Sequence, residues 1–269
     1  MTIRLVISDV DGTIVQPDKT LSAGTMAAAQ RLQAAGIPLA IVSARPPRGM
    51  RWITEALMLK APSAGFNGGA ILAPDGTVIE WNPAPTDMVQ KALGLFAARG
   101  IDAWLFTQDE WLIRDANGVY VAHERHTVRF EARVAPSFDP YVAQVGKLVG
   151  VSDNFEKLAA VEAELQGIVG AGATAHLSQK YYLDLTHPNA NKGYAVQAIA
   201  RHLGVGLPDV AVLGDMANDI PMFKVAGFSV AMGNGTDAVK AEASATTGAN
   251  DHEGWADAVD ALILPKTHG

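Results

Sequence analysis

The sequence predicts an α/β protein, with a doubly wound parallel sheet interrupted by a stretch of different, α+β character. Three observations lead there. Short apolar runs recur at Leu5–Ile7, Ile37–Val42 and Val210–Leu213, the pattern of strands buried on both faces. Each runs into turn-forming or charged residues and then a segment of helical length, the rhythm of strand–helix–strand units. Between residues 84 and 184 that rhythm breaks, and it resumes afterwards.

The elements follow in order. The first strand ends in Ser8-Asp9-Val10-Asp11-Gly12-Thr13. Ser22 is placed to cap an Ala-rich helix over Ala23–Ala35, and Gly36 to stop it. The strand Ile37–Val42 ends at Ser43-Ala44-Arg45-Pro46, and a helix is predicted around Arg48–Leu59. A short strand then leads into Phe66-Asn67-Gly68-Gly69. Pro74-Asp75-Gly76 is a turn signal joining strands Ala70–Leu72 and Thr77–Trp81. Asn82-Pro83-Ala84-Pro85 reads as punctuation. Beyond it, helix-like segments (Asp87–Ala98, Pro140–Val149, Phe155–Leu165) mix with strand-like ones. These strands are predicted at Ala103–Phe106, Glu110–Ile113, Thr127–Val134, Ala173–Ser178 and Tyr181–Asp184. A helix over Lys192–His202, the strand ending at Gly214-Asp215, a further helix, a strand at Phe228–Ala231 and a last helix near Trp255–Leu262 restore the alternation. The expected organisation is a Rossmann-like core from residues 1–83 and 185–269, with an α+β domain of residues 84–184 inserted.

With 269 residues, 49% hydrophobic and 18% charged, the chain has the composition of an ordinary globular protein. It has no cysteine, which excludes disulfides, thiolate metal sites and cysteine nucleophiles. The net charge of −7 argues against a nucleic-acid-binding surface, but not against an anionic small molecule held by local cations. The N-terminus runs straight into the strand without the features of a secretory signal, and no apolar run reaches membrane-spanning length. A cytoplasmic protein is expected, a monomer or homodimer acting on a small molecule.

The strand ends carry the chemistry. In open parallel sheets ligands bind at the carboxyl edge, and there stand Asp9 and Asp11, Ser43, and Asp215 with Asn218 and Asp219. Lys192 opens a neighbouring helix. Two carboxylates spaced i, i+2 repel and require a cation, a shared proton or a chemical task. A calcium loop would continue with regularly spaced ligands and a terminal Glu, and Ile14-Val15-Gln16-Pro17-Asp18 does not. The seven histidines include no His-Glu-x-x-His pair; His123 and His126 lie in strand-like surroundings, and His268 is near the C-terminus. Ser43 lacks the Gly-x-Ser-x-Gly elbow. Gly233-Asn234-Gly235 reads as a turn. Together these groups supply a nucleophile, an acid/base, a hydroxyl donor, a cation and metal-binding carboxylates, the parts needed to displace a phosphate ester.

These residues also carry a resemblance. Asp9-Val10-Asp11-Gly12-Thr13, and Gly214-Asp215-Met216-Ala217-Asn218-Asp219-Ile220-Pro221-Met222-Phe223, resemble the motifs of the haloacid dehalogenase superfamily of phosphatases, in its Cof-type subfamily IIB with a C2 cap. Asn67-Gly68-Gly69 and His252-Glu253-Gly254-Trp255-Ala256 resemble its weaker signatures. The second motif departs, with Ser43-Ala44-Arg45 where Thr-Gly-Arg is usual. The third reads Asn189-Ala190-Asn191-Lys192-Gly193. The resemblance implies a Mg²⁺-dependent phosphatase acting on small phosphorylated metabolites, sugar phosphates foremost, through an aspartyl-phosphate. By the same resemblance Asp9 is the nucleophile, Asp11 the acid and base, and Lys192 the charge-offsetting cation. Mg²⁺ is expected on Asp9, the Asp11 carbonyl, Asp215 and Asp219, the last holding the metal's water shell or orienting Lys192. Ser43, Asn218 and Lys192 are expected on the phosphate, with Arg45 and Asn67 nearby and Thr13 supporting the loop. The cap is expected to exclude water and choose the leaving group. The runner-up is a phosphomutase sharing the aspartyl-phosphate step; a non-catalytic metabolite-binding protein on the same fold stands behind it.

Overall fold

A computed structural model describes residues 2–267; Met1 and the C-terminal pair that includes His268 lie outside the described residues. The strands in chain order are β1 (Leu5–Asp9), β2 (Leu39–Val42), β3 (Ser63–Gly65), β4 (Ala70–Leu72) and β5 (Val78–Trp81), then β6 (Asp102–Phe106), β7 (Trp111–Ile113), β8 (Arg133–Val134), β9 (Lys147–Val151), β10 (Thr174–Gln179) and β11 (Tyr182–Thr186), and finally β12 (Val210–Gly214), β13 (Phe228–Ala231) and β14 (Ala245–Thr246). They form an eight-stranded sheet in the order β14-β13-β12-β1-β2-β3-β4-β5 and a six-stranded sheet in the order β10-β11-β9-β6-β7-β8. The chain divides into two compact units. One comprises residues up to Ala44, Arg51–Ile79 and residues from Asn191 onward; the other comprises Arg45–Met50 and Glu80–Ala190.

In the first unit β1 lies between β12 and β2, parallel to both, with Ile7 opposite Val212 and Ala40. Pairing is parallel from β14 through to β3, and β4 then runs antiparallel. Every residue of β1, β2 and β12 is buried, as expected of strands covered on both faces. On one face Leu5, Ile7 and Val212 pack with Val196 and Ile199 of the helix Lys192–Leu203. On the other, Ser8 accepts a hydrogen bond from Trp255 Nε1 at 2.9 Å. Helices on both faces make the sheet doubly wound. The register sets Asp9 level with Val42 and Ser8 level with Leu213, so the ends of β1, β2 and β12 share one edge.

The second unit is α+β. Leu105, Leu148, Leu183 and Leu185 form one face of its sheet, packed against Val89 and Phe96 of the helix Thr86–Arg99 and Leu158 and Leu165 of the helix Phe155–Val169. Trp104, Phe106 and Trp111 form an aromatic group beside Tyr182, with neighbouring rings 5.2–5.7 Å apart.

Two expected elements are corrected here. The segment Pro140–Val149 is not a helix: Asp139–Gln144 makes a short 3-10 turn around Pro140, and Lys147–Val151 is the strand β9 between β6 and β11. A lysine among apolar residues imitates a helix's polar face, but Lys147 is buried and ion-paired with Asp184 at 3.3 Å. Thr127–Val134 is not one strand either. Val121–Val128 is a helix, ended by Arg129 in the left-handed conformation, and only Arg133–Val134 pairs as a strand. His123 and His126 are thus exposed helix residues. The last helix ends at Ala258 and continues as a π turn over Val259–Ile263. Among the described residues, no helix is long and apolar enough to cross a membrane.

Leu148 sits opposite both Leu105 and Leu185 and is fully buried. Leu148→Ala should destabilise the protein by about 2–5 kcal/mol, the usual result of deleting a core leucine. Urea titration checks this: an unchanged midpoint would show that this strand does not lie inside the second core.

Candidate active site

The site grows from the end of β1. Asp9 is the strand's last residue and is 4% exposed. Its Oδ1 accepts a hydrogen bond from Lys192 Nζ at 2.5 Å. Lys192 is the first residue of the helix Lys192–Leu203, which begins there because the Asn191 side chain accepts from the Tyr194 N–H at 2.9 Å. The positive end of a helix is a poor place for an ammonium group, and this lysine is only 2% exposed. Asp219 supplies the second carboxylate, its Oδ1 accepting from Lys192 Nζ at 2.5 Å. Asp219 is fully buried at the end of the turn Ala217–Asp219 that follows β12. Its Oδ2 accepts from the backbone N–H groups of Asp215 and Met216, both at 2.8 Å. One carboxylate therefore holds the lysine and shapes the loop.

Asp215 follows β12 directly. Its Oδ1 accepts from the Thr13 hydroxyl at 3.1 Å, and its Oδ2 from Asn234 Nδ2 at 3.1 Å. Asn234 Nδ2 also donates to the Gly12 carbonyl at 2.9 Å, tying the β1 and β12 loops together. Gly12 has φ +83°, and a Cβ there would stand 2.3 Å from Asp215 Oδ2, so the close approach of the two loops requires glycine. Gly214 is required in the same way, because a Cβ would meet the Asp219 carboxylate at about 2.5 Å.

Burial pushes the Asp9 carboxyl well above its usual range; Lys192 opposes this, and the charges of Asp219 and Asp215 push further. Burial alone would lower Lys192, but Asp219 and Asp9 outweigh it and hold the ammonium charged. Asp215 is raised to about 6, first by burial and then by Asp219, against the Thr13 hydrogen bond. Oxygen atoms of Asp9, Asp215 and Asp219 lie within 4.8 Å of one another. Three carboxylates beside one ammonium leave two negative charges uncompensated. A hard divalent cation with oxygen ligands fits that deficit.

The other expected residues fall in both units. Ser43 follows β2, is buried, and is joined to Asn67 by a 2.7 Å bond from the Asn67 N–H to the Ser43 carbonyl. Asn67 is left-handed at φ 55°, and its buried Oδ1 has no partner. Asn218 is exposed on the turn beside Asp219. Asp11 is partly exposed and takes a 2.7 Å ion pair from Lys19. Arg45 groups with the second unit, where it is buried, donates to the Gly49 carbonyl at 3.4 Å and lies in the field of Glu124. Sequence reasoning missed Asn234 and Lys19. Asn234 had a readable signal, since Gly233-Asn234-Gly235 follows a parallel strand at its carboxyl end; Lys19 had none.

A doubly wound sheet with a buried acidic cluster at its carboxyl edge, its chain interrupted by an α+β unit, defines an α/β protein whose candidate site is built on carboxylates. The chain belongs to the haloacid dehalogenase-like hydrolases, whose family model matches residues 6–259. It is similar to the HMP-PP phosphatase of Cronobacter sakazakii, 29% identical over 240 residues covering 89% of this chain and 87% of that one. The pyridoxal phosphate phosphatase of Escherichia coli is 27% identical over 262 residues, covering 93% and 95%. Among solved structures, a haloacid dehalogenase-like hydrolase from Bacteroides thetaiotaomicron matches with a TM-score of 0.90 at 26% identity, covering 96% of this chain and 99% of its own.

The raised Asp215 makes a pH prediction for the metal-free protein. Above the ordinary carboxyl range and below about 6, the folded state keeps a proton that the unfolded chain has released. The stabilisation is therefore complete at low pH and lost as pH rises through about 6. Asp215→Asn cannot ionise, so relative to wild type it should gain stability between pH 4.5 and 7 in a chelator, by a few kcal/mol at most. Adding Mg²⁺ at pH 7 should raise the wild-type midpoint and leave the variant unmoved. Parallel midpoints in chelator across that range would show that Asp215 titrates normally.

Proposed function

We propose that the protein hydrolyses small phosphate monoesters in a Mg²⁺-dependent reaction through a phosphorylated Asp9. The observation that carries this reading is the Asp9–Lys192–Asp219 group at the end of β1, with Asp215 alongside. A carboxylate attacks a phosphate dianion only if the charge between them is offset. Lys192 supplies part of that offset at Asp9 itself. A bound Mg²⁺ would supply the rest, polarising the phosphoryl oxygens. Asp9, Asp215 and the Asp11 carbonyl are the groups that would hold it. With three hydrogen bonds already accepted, Asp219 is better suited to orienting Lys192 than to serving as a metal ligand.

Asp9 attacks phosphorus while Asp11 protonates the departing alcohol; Asp11 then takes a proton from the water that hydrolyses the aspartyl-phosphate. Ser43 and Asn218 donate to phosphate oxygens, and Asn67 joins them when its amide presents nitrogen. Thr13 and Asn234 hold Asp215 in place. The relatives named for HMP-PP and pyridoxal phosphate support a substrate class of small phosphorylated metabolites, within which sugar phosphates remain the favoured group.

Phosphate release from a panel of sugar, nucleotide, cofactor and aryl phosphates, with and without Mg²⁺, tests the proposal. Wild type should turn over at least one ester only with the metal present. Asp9→Asn should lose roughly 10⁴-fold or more in kcat, as nucleophile removal does elsewhere. No release by wild type from any class would sink the reading, and Asp9→Asn retaining activity would remove Asp9 from the nucleophile's role.

A further inference from the structure

We propose that Lys19 is a positioning residue for Asp11, holding the carboxyl group that exchanges a proton first with the leaving alcohol and then with water. The inference rests on the assignment of Asp11 as acid and base given above.

Two independent observations carry it. Lys19 Nζ lies 2.7 Å from Asp11 Oδ1, with both side chains only partly exposed. Lys19 also has φ +64°, a left-handed conformation that favours glycine and is disfavoured for a long side chain. The loop imposes that conformation: Gln16 N–H donates to the Thr20 carbonyl and Lys19 N–H to the Gln16 carbonyl, each at 2.9 Å. Asp18 Oδ1 then accepts from the Thr20 N–H at 3.0 Å. A glycine would fit this turn without strain, so the turn does not account for a lysine. What the lysine adds is the charge-assisted bond to Asp11. Strained backbone is expected where function over-determines a conformation.

The loop is also braced to the acidic cluster. Asn250 Nδ2 donates to the Val15 carbonyl at 2.8 Å, and Asn250 N–H donates to Asn234 Oδ1 at 3.1 Å. Asn234 is the residue that binds Asp215 and the Gly12 carbonyl. Lys19 thus reaches Asp11 from a loop anchored to the same framework that fixes Asp215.

In the transfer step a bond forms from an Asp9 oxygen to phosphorus as the bond from phosphorus to the ester oxygen breaks. That oxygen takes the Asp11 proton, leaving a carboxylate. In the second step water oxygen bonds to phosphorus, the phosphorus–Asp9 bond breaks, and a water proton passes to Asp11. Lys19 Nζ, donating to Asp11 Oδ1 at 2.7 Å, fixes the orientation of that carboxyl group in both steps. Without it, Asp11 samples orientations in which no proton can pass, and the advantage of a fixed geometry is lost.

The test compares kcat/KM for an alkyl phosphate and for para-nitrophenyl phosphate, whose leaving group needs no proton. It uses wild type, Lys19→Gly, Lys19→Arg, Asp11→Asn and Lys19→Gly/Asp11→Asn, with melting temperatures. Lys19→Gly should lower the alkyl value by roughly 10- to 100-fold, a share of the general-acid effect, and the nitrophenyl value far less. Its melting temperature should be unchanged or raised, Lys19→Arg should recover most of the activity, and the Asp11→Asn background should show no further loss. Equal losses on both esters, or a loss that persists without Asp11, would overturn the role of Lys19. A wild type that hydrolyses neither ester overturns the phosphatase reading, and this inference with it. If Asp11→Asn spares the alkyl ester, the error lies in the role of Asp11, and the role of Lys19 falls with it.

Discussion

A buried ammonium ion governs the arrangement of the first unit. Lys192 is 2% exposed, stands at the positive end of its own helix, and is charged. Each of these facts is costly alone, and the two carboxylates at 2.5 Å answer all three. Asp219 must then be buried too, and its remaining oxygen is satisfied by two backbone N–H groups that fold the loop after β12. That fold carries Asp215 to the end of β1, and glycine at positions 12 and 214 makes room. Stability does not explain the arrangement, because apolar residues of similar volume often serve a core as well as a buried ion pair does. Breaking the pair from one side is another matter and costs about 3–5 kcal/mol.

Much of this could be read in the sequence, for a physical reason. A strand buried on both faces is a short apolar run, and a carboxylate directly after it is conspicuous; Asp9 and Asp215 are both of that kind. Lys192 was legible only because it opens a helix beside such strands. Contacts between residues far apart in sequence left no local trace. Asn234 reaches Gly12 across 222 positions, and nothing beside Lys19 announces a left-handed lysine. In the second unit, propensity misled at two places. Val121–Val128 contains Val, His and Thr, all indifferent helix formers, yet its buried Val121, Glu124 and Val128 recur at helical spacing. Lys147 reads as solvent-facing until its ion pair with Asp184 on the neighbouring strand is seen.

The second unit repeats the lesson in different terms. Lys147 and Asp184 pair inside it, and Glu124 lies in their field with its carboxyl raised by burial. Asp184 Oδ1, Thr186 Oγ1 and Trp111 Nε1 are buried without protein partners. Asp184 and Thr186 alternate on one strand, away from Leu183 and Leu185, which belong to the apolar core. Buried groups of this kind are paired by ordered water in most proteins.

Charge balance ties the observations together. The chain carries a net charge of −7, so its overall field opposes a phosphate. Binding such an anion must rely on local charge, and the local count at the end of β1 is three carboxylates against one ammonium. Left alone, that group takes up protons, which is the meaning of the raised Asp9 and Asp215. A divalent cation removes the deficit without protonating Asp9, and an unprotonated Asp9 is what a nucleophile requires. Two residues on, the Asp11 carboxylate lies 2.7 Å from Lys19 Nζ. Asp9 shares Lys192 with Asp219, whereas Asp11 meets Lys19, so the repulsion within the Asp9-Val10-Asp11 pair is offset by a different cation at each carboxylate.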